Sequence, residues 1–168
     1  MDGSARAVAL AAVYAGWAHD QRLVVGSVAP LTADQLALLA APHLHDIGHL
    51  AAHIVAARAR MIHWILGEGD DGLDALARWD GFDQPASLAI RPVAELVRGL
   101  EASAAAIQDA LARWKVDDLD EVVEWRYDGD THTYTCQRMI WNLVRPDYHY
   151  YGEIALTLGI HGLAAPDF

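Results

Sequence analysis

Ile47, Leu50, Ile54, Ala57, Met61 and Trp64 recur at alternating steps of three and four residues. That spacing lays one apolar seam along a helix, and the seam is stable only when other helices cover it. Val93, Leu96, Leu100, Ile107, Leu111 and Trp114 carry a second such stripe, and Ile140, Leu143, Tyr151, Ile154 and Leu158 a third. An alanine-rich stretch over about 4–26, with Leu10, Tyr14, Trp17 and Val24 at helical spacing, supplies a fourth. Four long helices with this period predict an all-α, four-helix bundle.

The boundaries follow from local chemistry. Thr32 and Gln35 have the spacing of a capping box, which predicts a short extra helix ended by Pro42. The second long helix stops at Gly67-Glu68-Gly69-Asp70-Asp71-Gly72, and residues 68–90 read as a connection with a helical turn near Leu73–Trp79. The third starts near Pro92. Beyond Trp114 the period shortens to two: Val123, Trp125 and Tyr127 alternate, Asp128-Gly129-Asp130 turns the chain, and His132 and Tyr134 alternate on the return. This predicts a small hairpin or ordered loop. The last helix starts near Thr135, an N-cap residue, and runs to about Gly162, with a kink expected at Pro146. One domain over 1–168 accounts for all of it.

With 12 Lys+Arg against 23 Asp+Glu the net charge is −11. Nucleic acids and anionic membrane surfaces are bound by cations, so this balance argues against both as partners. No apolar run reaches the length of a membrane helix, and the early acid in the first twenty residues argues against a signal peptide. A lone cysteine, Cys136, suits a reducing cytoplasm and reads as a small buried hydrophobe or, less simply, as a reactive thiol at a helix N-terminus.

Nine histidines are many for this length. The second helix carries His45, His49, His53 and His63, and on a helical wheel His49, His53 and Arg60 share one flank of the apolar stripe. A histidine there is either a metal ligand or a core imidazole with its own partner. On the last helix Asp147 falls in the middle of the apolar stripe. It must find an arginine, a tyrosine hydroxyl or a metal, because an unpaired buried charge is very costly. His149 and Glu153 are four apart, fit either to chelate one ion or to form a solvated pair.

The segments His53–Arg58 and His63–Gly69 resemble the second helix of the DinB/YfiT-like family, and Tyr134–Val144 resembles the start of that family's last helix. Tyr150-Tyr151-Gly152-Glu153-Ile154 and Leu158-Gly159-Ile160-His161-Gly162-Leu163 are similar to its histidine-Gly-Glu/Gln-Ile stretch and its Leu-Gly-x-x-Gly ending. The resemblance implies a four-helix bundle and a divalent metal, zinc or nickel, held by three histidines. It further implies metal-dependent hydrolase or S-transferase chemistry on low-molecular-weight thiols. Carried over, the three ligand positions are His53, Pro146 and Tyr150, so one histidine of three is kept.

Two outcomes stay open. A rearranged metal site would use His53, His149 and Glu153, with Arg58 or Arg60 anchoring a substrate and Trp64, Trp141 and Tyr150 forming its walls. A degenerate, metal-free site would bind a small ligand in a cavity lined by Trp64, Trp141, Tyr148, Tyr150 and Tyr151, or serve as a homodimeric scaffold. For a homodimer the small apolar surface of the first helix (Ala5, Ala7, Ala11, Ala12, Ala15) is the expected contact.

Overall fold

The structure is a computed structural model and describes residues 10–81, 89–127 and 129–168. Helices α1 (Leu10–Val13) and α2 (Ala15–Val28) form the first arm, with a break at Tyr14. Residues 4–9 of the expected first helix lie outside the described residues. A short α3 (Ala33–Leu36) follows, and its capping box is present: Thr32 Oγ1 accepts from the Gln35 amide, while the Thr32 amide donates to Gln35 Oε1.

Helix α4 (Ile47–Ala59) is the central helix and packs on both α6 (Val93–Arg113) and α7 (Cys136–Ile160). Ile47, Leu50, Ala51, Ala52, Ile54, Val55, Ala56 and Ala59 are all buried, which leaves little of the helix for solvent. Its alanines keep the cross-section small and let neighbouring backbones come close. After Ala59 the hydrogen bonding widens into a π-helical segment, Arg60–Ile65, seen in the Leu66 amide bonded to the Met61 carbonyl five residues back. The short α5 (Gly72–Leu76) then leads to Trp79 and Asp80.

Between α6 and α7 a 3₁₀ turn (Val116–Asp120) precedes the expected hairpin, β1 (Val122–Tyr127) antiparallel to β2 (Asp130–Thr135). Val123 faces Tyr134, and Trp125 faces His132. Helix α7 starts as the sequence indicates, with Thr135 Oγ1 accepting from the Arg138 amide. Losing that cap in Thr135→Ala should cost about 1 kcal/mol, read as a shift in the urea unfolding midpoint. Helix α7 runs on through Pro146 to Ile160. Among the described residues no helix is long and apolar enough to cross a membrane.

The core falls into two apolar halves. One gathers Val24, Val28, Leu50, Ile54, Leu96, Leu100, Ile154 and Leu158. The other gathers Leu10, Ala59, Ile62, Ile107, Leu111, Ile140 and Leu143. On each helix the residues between the two sets are polar: Gln21 on α2, Arg58 on α4, Ser103 on α6 and Asp147 on α7, all buried. Arg58, 1 % exposed, places Nε within 3.1 and 3.0 Å of the Asp147 carboxylate oxygens and Nη2 at 2.8 Å. Trp17 Nε1 donates to Asp147 at 2.7 Å, Tyr151 Oη donates to Gln21 Oε1 at 2.8 Å, and Gln21 Nε2 donates to the Leu100 carbonyl at 3.2 Å.

The partner that Asp147 requires is therefore an arginine on the central helix. Burial alone would lower the Arg58 pKa, but the Asp147 carboxylate beside it holds the guanidinium charged and shifts the pKa upward. Among the described residues no buried side-chain polar atom lacks a partner. A fully satisfied polar layer of this kind fixes the rotation of four helices at once, since its members come from α2, α4, α6 and α7.

Candidate functional site

Titratable side chains converge in a cavity of about 230 Å³ at the α4–α7 edge, whose described lining is His45, His49, Leu50, Ala52, His53, Trp79, Asp80 and Tyr150. Its construction starts at the N-terminus of α4. Asp46 is the N-cap: one carboxylate oxygen accepts from the His49 amide at 2.8 Å, and the other lies 2.6 Å from His49 Nδ1. One residue thus starts the helix and orients the first imidazole. One turn on, His53 shares the same face.

The acid that orients His53 comes from outside the bundle helices. His53 Nδ1 lies 2.8 Å from Asp80 Oδ2. Asp80 in turn is held by both nitrogens of Arg60, at 2.7 and 2.6 Å, and the same guanidinium donates at 2.7 Å to the Ala77 carbonyl, where α5 ends. Arg60 therefore pins the α5 connection to α4 and aims Asp80 at His53. Burial would raise the Asp80 pKa, but the hydrogen bonds from His53 and Arg60 and their charge outweigh it and hold the carboxyl well below the usual range.

The pH dependence follows from that direction. A carboxyl whose folded pKa is depressed stabilises the fold fully above its unfolded pKa, about 4, and loses that contribution as pH falls toward the folded value. Between pH 5 and pH 2 the urea midpoint should therefore fall more steeply in the wild type than in Asp80→Asn.

Tyr150 closes the other side. Its ring meets His53 edge-on at 4.7 Å between centroids and His149 edge-on at 5.1 Å, so it stands between the two imidazoles. Burial and the nearby Glu153 and Asp80 carboxylates raise the Tyr150 pKa, which keeps its hydroxyl protonated at neutral pH. Trp79, 8 % exposed, forms a flat wall whose ring also carries the Arg91 guanidinium at 4.3 Å, and Arg91 pairs with Glu95 at 2.5 Å. A larger groove of about 520 Å³, floored by Gly99, Ala102, Ala105 and Ala106 of α6, also uses Trp79 as a wall. Among its described lining residues there is no imidazole.

Of the residues singled out from sequence, His45, His49, His53 and Tyr150 line this cavity, and Arg60 acts behind it through Asp80. His149 and Glu153 are paired with each other at 2.8 Å, with His149 67 % exposed: the solvated i, i+4 pair. Arg58 is engaged in the polar layer and has no free face for a substrate. Trp64 lies elsewhere, donating to Asp74 at 2.9 Å under the Arg78 guanidinium. Trp141 is 52 % exposed, in a surface cleft with Tyr14, Gln137 and Arg138. Tyr148 is exposed and donates to Asp20 at 2.8 Å, and Tyr151 is core.

The expected single cavity of five aromatics is thus corrected. Side chains on opposite faces of α7 cannot line one pocket, and only Tyr150 does. Cys136 is buried, and burial with nearby carboxylates pushes its thiol up to about 11, the small-hydrophobe reading. Asp80 and Trp79 were not anticipated. They lie in the connection after the second helix, where no periodicity marks them.

The donor set can be compared with what a three-histidine centre requires. Pro146 offers no side-chain donor, Tyr150 presents a protonated phenol, and His149 points its Nε2 at Glu153. Among the described residues no three His, Cys, Asp or Glu side chains form a group able to hold a metal ion. These donors do not fit such a centre.

No family model matches the chain, and no curated protein matches it. Among solved structures it is similar to the crystal structure of a DinB-like protein from Bacillus cereus, with a TM-score of 0.66 and 19 % identity, over 91 % of this chain and 93 % of that one. The chain has the DinB-like fold.

Proposed function

We propose that this DinB-fold chain binds a small molecule in the His53–Trp79–Tyr150 cavity, with His53 as its working polar group and no resident metal. The observation that supports this most is the His53–Asp80–Arg60 chain. With a carboxylate 2.8 Å from Nδ1, the neutral imidazole carries its proton there and keeps Nε2 as the acceptor. That is the orientation of a ligand-binding or proton-accepting histidine whose carboxylate neighbour fixes its tautomer.

Metal-dependent hydrolase or thiol-transferase chemistry needs further donors beside His53, and Pro146 and Tyr150 occupy the positions from which they would come. The cavity is smaller than a drug-sized site, which points to a ligand of few atoms.

The test is a fragment screen by two-dimensional NMR with histidine and tryptophan side chains labelled. Hits that perturb the His53 ring and Trp79 indole together, and that His53→Ala abolishes, support the reading. A screen whose hits all map to the α6 groove or to the Trp141 cleft would move the functional site elsewhere.

A further inference from the structure

We infer that the ligand of this cavity is a small, uncharged aromatic hydrogen-bond donor of the phenol class, its ring on Trp79 and its donor on His53 Nε2. This rests on the site reading above and adds the ligand's chemistry. Charge restricts the ligand first. The two arginines that touch its lining are already matched, Arg60 to Asp80 at 2.6 Å and Arg91, over Trp79, to Glu95 at 2.5 Å. Asp80 itself is among the lining residues. A carboxylate or phosphate entering here would meet an acid and find no arginine or lysine among the described residues lining the cavity.

The direction of the available hydrogen bond restricts it further. Because Asp80 accepts a hydrogen bond from Nδ1–H, the neutral His53 ring offers an acceptor at Nε2, and a ligand satisfies it by donating. A ligand with only acceptors makes no hydrogen bond to that nitrogen and forgoes its contribution. Shape restricts it last. The Trp79 ring is a flat wall, Leu50 and Ala52 are apolar, and Tyr150 presents its ring against His53. About 230 Å³ admits a single substituted ring stacked on the indole.

Three probes separate the arguments: phenol, toluene and benzoate, titrated at pH 7.5 while the Trp79 indole resonance is followed. Phenol is expected to bind about tenfold or more tightly than toluene, which lacks the donor, and than benzoate, which carries the wrong charge. His53→Ala should reduce phenol to the toluene level while toluene binding stays unchanged, which also shows that the variant is folded. Tyr150→Phe should preserve the preference for phenol.

Toluene or benzoate binding as tightly as phenol at Trp79 would overturn the ligand class and leave the cavity as the binding site. If none of the three moves the Trp79 resonance, the class is overturned as well, and the fragment screen decides separately whether the cavity binds anything.

Discussion

Asp147→Ala is expected to lower the unfolding free energy by about 3–5 kcal/mol, because it strands a guanidinium that is 1 % exposed. Arg58→Ala should cost a similar amount by leaving Asp147 with Trp17 as its main donor. Joint replacement, Arg58→Ala with Asp147→Ala, should cost much less than the two single losses together, since the charge and its counter-charge leave at once. Urea unfolding of the four proteins measures this cycle directly. Additive losses would mean that the two residues do not act as one buried unit. The layer matters beyond stability, because Tyr150 lies on α7 between Asp147 and Tyr151, two members of the layer, and its approach to His53 depends on the rotation of α7.

Gly99→Ala should also destabilise, by about 1–3 kcal/mol, against the usual sign for such a change. In an ordinary helix interior alanine is favoured over glycine by about 1 kcal/mol. Here a Cβ on Gly99 would come within 2.4 and 2.5 Å of the Trp79 ring and 3.1 Å of Val55. The indole cannot yield freely, since it is buried and carries Arg91 on its ring. Relief therefore has to displace Trp79, the wall that the His53 cavity shares with the α6 groove. Near-ultraviolet circular dichroism should change together with the unfolding midpoint. A stabilised Gly99→Ala protein with an unchanged spectrum would show that the contact is looser than described.

How much of this was legible in the residues varies with the kind of information each element carries. The seams of α4, α6 and α7 are periodic and were readable, as were the Thr32–Gln35 and Thr135 caps, because these are local chemistry. The hairpin announced itself by the change of period after Trp114. Asp147 was readable as a carboxylate in need of a partner. Its partner was not, because a single arginine on an apolar helix looks the same whether it faces solvent, substrate or another helix. Arg58 was accordingly expected to bind substrate, and it proves to be the centre of the core.

The widening of α4 at Arg60–Ile65 leaves the 3/4 spacing intact, so it shows only in the hydrogen bonds. Asp80 was the largest omission. It is brought to His53 by the α5 connection and by Arg60, a long-range event with no sequence period. His53 could be picked out as a candidate; the carboxylate that gives it a role could not.

The most direct measurement of the central claim is the metal content of the protein after equilibrium dialysis against zinc and against nickel, for wild type and His53→Ala, by inductively coupled plasma mass spectrometry. A cavity that works through His53 alone predicts far less than one metal per chain, and the same value in both proteins. One metal per chain in the wild type that disappears in His53→Ala would contradict the account and place a metal centre on His53.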